Sequence, residues 1–402
     1  MATEQNYDQL FTSYIVGGLK TSLIRVQGVA GPLAEDDRRQ AWHMLSYALA
    51  VEDAWPHVRA LLFPLTQKMI QAGHWQDWTP YLEQGLARSR AQQDLDAEAE
   101  LSLHLAYLQQ RLGHLTPADR HAGAAVTLFS RQKTRARLGA ALNRHAEIKR
   151  SRREYAAAEQ LVDAALTQLN NEDEADREER GHAYLIKGRI AFDQRLWAKA
   201  GRHFARGLEL YEGTDNLRRT AICIQNLGRV RSMEKDYDGA AAAYERAIEL
   251  LKTSNEIFDL AVVQMNLGII YSLNQKPEAA LAAYAQAEPV FRRLRDRAYL
   301  ARLFNNQGMT MNELGQWEDA QTLLQASSEL WLALDNLQGY LNAQESLGAA
   351  YLGNREFDRA VHTYQAALAM QAEQTERHCS RQTLENLARG LRRAQAESKA
   401  HA

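Results

Sequence analysis

AICIQNLGRVRSMEKDYDGAAAAYERAIEL, residues 221–250, is the stretch on which the architecture turns. Ala221, Ile224, Leu227, Val230 and Met233 recur three or four residues apart, one apolar stripe at helical spacing. Tyr237, Ala240, Ala241, Tyr244, Ala247, Ile248 and Leu251 form a second stripe, so the stretch predicts a pair of helices. Moving outward, the same pair returns. Gly188, Gly228, Gly268, Gly308 and Gly348 each stand 40 residues after the last, and Ala200, Ala240, Ala280, Ala320 and Ala360 follow them twelve residues on. Three before each alanine sits Trp197, Tyr237, Pro277, Trp317 or Phe357, and four after it Phe204, Tyr244, Tyr284, Leu324 or Tyr364. Several columns in register make this an internal repeat. Small residues on both helices should let their axes approach closely, with the aromatic of each pair filling the gap to its neighbour.

The columns extend backwards through Ala146, Tyr155, Ala158 and Ala165, then Ala106, Leu115, Ala118 and Ala125, to a degenerate unit with Trp75, Trp78, Leu82 and Gly85. One step, Ala146 to Gly188, is 42 residues, which a longer acidic loop at Asn170–Glu179 accounts for. Gly73, Gly113 and Gly315 suit left-handed turns between the helices of a pair. Short polar stretches such as Thr214-Asp215-Asn216, Ser254-Asn255 and Asp335-Asn336 separate the units. No strand pattern of useful length occurs. Residues 1–58 fall outside the register: Tyr7–Arg25 and Glu35–Asp53 read as helices around a loop with Gly28, Gly31 and Pro32, an atypical cap on the first repeat. The expected division is 1–58 as N-terminal cap, 59–379 as about eight repeats, and 380–402 as a C-terminal capping helix, Ser380–Ala396, with its tail.

Gly followed twelve residues later by Ala, with Trp or Tyr three before and Tyr or Phe four after, resembles the tetratricopeptide repeat. The resemblance covers roughly residues 59–397, although the closing proline of that pattern is absent and the step is 40 rather than 34. It implies an all-α fold: a right-handed superhelical solenoid of antiparallel helix pairs, close to one full turn around a central groove. The longer step is similar to that of the arrays in kinesin light chains and in bacterial STAND signal-transduction NTPases. The entry around Trp75 and Trp78 resembles the sensor arrays of the latter. That resemblance implies a cytoplasmic ligand-sensing domain whose NTPase module would lie in the same full-length chain. The alternative is a stand-alone scaffold or adaptor.

Composition narrows the function. Lys plus Arg 48 against Asp plus Glu 50 gives net charge -2, which excludes a globally basic nucleic-acid binder. Two cysteines make neither a disulfide framework nor a four-ligand zinc site. The polar N-terminus and the lack of a long apolar run argue against a signal peptide and a membrane span. Gly17-Gly18-Leu19-Lys20-Thr21-Ser22 lacks the spacing of a phosphate loop. No catalytic or metal-binding constellation emerges, so neither an enzyme nor a cofactor is expected. The basic run Arg131–Arg153, nine Lys or Arg with one Glu, reads either as a nucleic-acid contact or as a face complementary to the acidic loop that follows; the second is favoured.

Two before the glycine column stand Asn226, Asn266, Asn306, Ser346 and, one step on, Asn386. By the resemblance, the first helix of each pair lines the groove, and similar asparagine columns hold peptide backbone. An amide both donates and accepts, so such a ladder can bind an extended protein or peptide segment without reading its side chains. Alternatively, each Asn bonds a neighbouring helix and fixes the spacing of repeats. One after the glycine come Tyr107, Glu147, Arg189, Arg229, Ile269, Met309, Ala349 and Arg389. Gln225, Met265, Asn305, Asn312, Arg150, Arg392 and Arg393 lie one turn away. This mixture suits a ligand with acidic and apolar residues. Arg189 and Arg229 either clamp its carboxylate or pair with the array's own acids.

Overall fold

The computed structural model describes residues 2–29, 33–132, 134–170, 173–254, 256–374 and 379–401. Among them there is helix and no strand. The helices run α1 (Ala2–Gln27), α2 (Glu35–Ala48), α3 (Trp55–Gln71), α4 (Trp75–Ala91), α5 (Leu95–Arg111), α6 (Leu115–Gln132), α7 (Arg135–Ser151), α8 (Tyr155–Gln168), α9 (Glu174–Asp193), α10 (Trp197–Tyr211) and α11 (Leu217–Met233). They continue as α12 (Tyr237–Thr253), α13 (Ile257–Leu273), α14 (Pro277–Arg293), α15 (Arg297–Glu313), α16 (Trp317–Ala333), α17 (Leu337–Gly353), α18 (Phe357–Glu373) and α19 (Arg381–His401). They gather into two compact units, Met1–Val230 and Arg231–Ala402, with the boundary inside α11. In the first unit α5/α6, α7/α8 and α9/α10 are packed pairs; in the second, α13/α14, α15/α16 and α17/α18 are. This is the helical-repeat solenoid that the columns imply.

Several repeat helices start and stop by local chemistry. Asp94, Asp236, Asp296 and Asn336 precede helices and accept the backbone N–H three residues on, at 3.1, 2.9, 3.1 and 2.8 Å. Such a cap is worth about 1 kcal/mol. Helices end in a left-handed residue, and here the structure departs from the glycines expected. Gly73, Gly113 and Gly315 fill that role, but so do Gln93, Arg153, Arg195, Lys235, Gln275, Arg295, Asp335 and Arg355, all at positive φ. The conformation costs a residue with a Cβ roughly 1–2 kcal/mol. Hydrogen bonds that occupy the free carbonyls of the last turn offset it: Arg195 N–H donates to Phe192 O at 2.9 Å, and Leu196 N–H to Ala191 O at 2.8 Å.

The glycine column lets the helices of a pair approach closely. The bulky residue sixteen positions on lies over the glycine of its own pair, and Tyr284 and Tyr364 also reach the next repeat, at Leu303 and Gly390. A Cβ on Gly188 would come within 2.4 Å of Phe204, one on Gly268 within 2.4 Å of Tyr284, one on Gly308 within 2.5 Å of Leu324, and one on Gly348 within 2.4 Å of Tyr364. The five alanines of the second column are fully buried.

Boundaries also shift. The acidic segment is not a loop to Glu179: α9 begins at Glu174, because Asp173 caps it through Ala175 N–H at 2.9 Å and the acids of its first turn complement the helix dipole. Asn171 and Glu172 lie outside the described residues, as do Gly31, Pro32, Lys133 and Asn255. The C-terminal helix continues to His401, whose ring packs 4.8 Å from Phe357, while Ser398 hydrogen-bonds Asp358 at 2.8 Å. Gly17 to Ser22 lies in the middle of α1, within the helix expected over Tyr7–Arg25, and Ile15, Leu19, Ser22 and Val26 are the buried side of that helix. No helix among the described residues is long and apolar enough to cross a membrane.

Candidate functional site

The first helices of successive pairs bring the two sequence columns onto one face within each unit. In the first unit that face is a ladder of charges. Glu147 on α7, 4% exposed, accepts from Arg189 of α9 at 2.5 Å and from Arg150 at 3.2 Å, and Arg150 also reaches Asp193 at 2.6 Å. Burial works to raise the Glu147 carboxyl, but the Arg189 and Arg150 guanidiniums outweigh it and hold the carboxyl well below its usual range. Next to it, Asn143 is fully buried and donates to the backbone carbonyl and carboxylate of Glu179, at 2.9 and 2.8 Å. Burial, with Arg219 and Arg144 adding to it, pushes the His182 imidazole down to about 4 despite the Glu179 carboxylate 3.4 Å away.

The arginines expected to clamp a ligand carboxylate are therefore committed. Arg189 and Arg150 hold Glu147. Arg229 lies 4.2 Å from the centre of the Phe192 ring and donates to Asn226 Oδ1 at 3.1 Å. Asn226 gives its other group to Ile222 O at 2.7 Å and is 3% exposed, so its amide is spent inside α11 and offers a ligand nothing. Gln225 is half-buried. Tyr107 carries the Arg144 guanidinium 4.7 Å above its ring. The basic run pairs with acids of the adjacent helices rather than with the acidic segment as a whole. Arg137 meets Asp96 and Glu100 at 3.5 and 3.3 Å, Lys149 meets Asp119 and Glu154 at 2.9 and 3.0 Å, and His145 meets Asp119 at 2.9 Å. From the run, Asn143 bonds Glu179 directly and Arg144 lies in its electrostatic range. Arg137, Lys149, Arg150 and Arg152 are the cations of the run paired with carboxylates among the described residues.

The second unit differs. Asn266 on α13 and Asn306 on α15 are half-buried, and neither side chain has a hydrogen-bond partner among the described residues. Asn305 donates to Met309 Sδ at 3.4 Å, and its buried Oδ1 has no donor. Met309 and Leu273 are 46% and 49% exposed on these helices. Met265 is not on the open face: it is 4% exposed and packs with Tyr284, Phe291 and Leu303. Further on, the amides do structural work. Asn312 donates to Ser346 O at 3.0 Å, and Asn386 accepts from Gln382 at 2.9 Å and donates to Glu345 of α17 at 2.8 Å, tying α19 to its neighbour. So the column splits, with Asn226 and Asn386 spent and Asn266 and Asn306 unspent.

Two arginines of the first unit's face, Arg144 and Arg219, were not singled out from sequence. Arg144 stands on the Asn226 column itself, followed backwards through Ile186 across the 42-residue step. No group of three or more His, Cys, Asp or Glu able to hold a metal occurs among the described residues. An open cleft of about 510 Å³ between α2 and α4, walled by Trp42, His43 and Tyr81, contains none of the column residues.

A family model described as tetratricopeptide repeat matches residues 182–253, 259–333 and 299–373. Among solved structures, the chain is similar to a Rap protein crystallised with Competence and Sporulation Factor, at 13% identity and a TM-score of 0.57, over 91% of this chain and 99% of that one. It is similar also to aspartyl phosphate phosphatase F from Bacillus subtilis, at 14% identity and a TM-score of 0.54, over 89% and 94% of the two chains. At such identity the likeness is one of fold. No curated protein sequence matches the chain. Residues 182–373 thus carry tetratricopeptide repeats, and the chain is an all-helical array built on them.

Proposed function

We propose that the chain binds a peptide or protein segment, without catalysis, along the first-helix face of its repeats, and that it serves as the ligand-sensing array of a STAND-type signalling NTPase. The observation that carries the binding reading is the unspent pair Asn266 and Asn306, one repeat apart, beside the exposed Met309. Half-buried amides without partners forgo hydrogen bonds that an extended backbone would supply, one N–H and one C=O per amide. Asn305, with its orphaned Oδ1, extends the set, and Met309 and Leu273 give an apolar ligand side chain its contact. The Rap protein of similar fold, crystallised with Competence and Sporulation Factor, supports a ligand-binding role. The sensor assignment rests on the repeat length and the tryptophan-rich entry.

Peptides selected from a random library on the full chain provide the test. Asn266→Ala with Asn306→Ala should weaken a selected peptide about 30-fold, four hydrogen bonds of about 0.5 kcal/mol net each, with unchanged helicity by circular dichroism. Equal affinity for both proteins would return these asparagines to a purely structural role.

A further inference from the structure

We infer that the outer face of α1 docks onto the same face of a second copy of this chain, the two helices running antiparallel and crossing at Gly17. The inference stands apart from the peptide site, which lies on other helices.

α1 is apolar on two sides. Ile15, Val16, Leu19, Leu23 and Val26 pack into the N-terminal core, while Leu10, Phe11, Tyr14 and Ile24 are each at least 50% exposed. No other helix carries four exposed large apolar side chains among the described residues. At 3.6 residues per turn, Leu10, Tyr14, Gly17, Thr21 and Ile24 fall on one stripe about 21 Å long, with Phe11 at its edge. The hydroxyls of this face are already engaged: Ser13 Oγ donates to Leu10 O at 2.7 Å and Thr21 Oγ1 to Gly17 O at 3.0 Å. The face can therefore be covered without stranding a donor. Gly17 has nothing within 4 Å of an added Cβ, so no contact inside the protomer calls for a glycine there.

The stripe is complementary to itself. With a two-fold axis at Gly17, residues equally far before and after it face each other, so Leu10 of each copy meets Ile24 of the other. Ser13, Gly17 and Thr21, small residues one turn apart at the crossing, let the helix axes come to about 8 Å, and an alanine at 17 would leave that room. Antiparallel pairing also opposes the two helix dipoles, where a parallel pair would align them. Taking roughly 200 Å² for each large side chain, the four exposed ones offer about 500 Å² per copy, or about 1,000 Å² in the dimer, the lower bound of a specific interface. Tyr47 of α2 enlarges the patch. Gly18 against Met44 and Arg25 against Asp37 set α2 antiparallel to α1, which brings exposed Tyr47 level with Tyr14. A lipid surface is the poorer occupant. Arg25 is answered by Asp37 and Gln40, and Glu35, Asp36 and Asp37 open α2 beside it, so no excess of cation faces an anionic bilayer.

Sedimentation velocity of the full chain should show a dimer by about 100 μM. Tyr14→Glu with Ile24→Glu should raise its dissociation constant at least about 100-fold at unchanged helicity by circular dichroism. If the double variant loses helicity, Ile24→Lys alone should give at least about tenfold. Cysteine cross-linking reads the register, in a Cys379→Ser background. Gly17→Cys, on the two-fold axis, should form a disulfide-linked dimer on mild oxidation, and Leu10→Cys should link only when Ile24→Cys is present. A wild type that stays monomeric at about 100 μM would overturn the proposal, as would a dimer untouched by the charge variants. Self-linking of Leu10→Cys as fast as Gly17→Cys, or binding to phosphatidylcholine vesicles in place of dimerisation, would overturn it too.

Discussion

Gly268→Val should cost the second unit about 3 kcal/mol or more. A Cβ at this position would stand 2.4, 2.6 and 2.8 Å from three ring carbons of Tyr284. Tyr284 is 1% exposed and packed against Ala280, Ala287 and Phe291, so its ring has nowhere to retreat. Overpacking of this kind costs roughly 1–3 kcal/mol for extra methylenes, and a β-branched side chain adds two more carbons in the same direction. The gain in helix propensity on leaving glycine, under about 1 kcal/mol, does not compensate. Truncating the ring in Gly268→Val/Tyr284→Ala should recover part of the loss, a coupling that a double-mutant cycle in urea measures directly. Gly17→Ala supplies the contrast. It lies inside α1 with nothing within 4 Å of a new Cβ, so it should stabilise by up to about 1 kcal/mol. Equal effects at Gly268 and Gly17 would show that the column reflects propensity and not close packing.

Glu147→Ala should cost about 3 kcal/mol and alter the acid limb of stability. Removing one partner of a buried ion pair costs about 3–5 kcal/mol because the other charge stays behind. The lower end applies here, since the Arg189 and Arg150 side chains keep 27% and 23% of their exposure, and Asp193 still holds Arg150. The folded-state carboxyl of Glu147 lies below its usual range, so its stabilisation is present above about pH 4.5 and is lost as the pH falls. His182 acts in the same direction over a higher window. Its folded value of about 4 lies under the unfolded 6.5, so the unfolded chain binds the proton first and stability drains away between those two values, by at most about 1.4 kcal/mol per pH unit. Glu147→Ala should therefore keep the decline between pH 6.5 and 4.5 and make it shallower below 4.5, where Glu179, held down to about 2, still contributes. Urea midpoints at half-unit pH steps read both quantities, and an unchanged limb below pH 4.5 would contradict the ion-pair assignment.

Much of the fold was legible in the sequence because repeats impose the same packing problem every 40 residues, and Gly, Ala and aromatic columns are its recurrent solution. Where the aromatic goes was legible only in part. Periodicity fixes the face of a helix but not every neighbour it meets: Tyr284, read as filling the gap to the next repeat, packs there with Leu303 and also covers Gly268 of its own pair. The amide column failed in an instructive way. Asn226, Asn266 and Asn306 share a register position, yet the residue three later decides whether the amide is free: Arg229 takes the Asn226 oxygen, whereas Ile269 and Met309 make no such demand. Charge partners were hidden for the same reason that helices pair. Arg150 and Asp193, or Asn143 and Glu179, are about one repeat apart, and only the known register brings them together.

The reading of the first-helix face as a ligand site is tested most directly by photo-cross-linking. A benzophenone amino acid in place of Met309, on the proposed face, is compared with one in place of Gln325, exposed on the second helix α16. With a library-selected peptide at saturating concentration, the label at 309 should capture the peptide and the label at 325 should not. Equal capture at both positions, or capture at 325 alone, would place the ligand elsewhere and contradict the account.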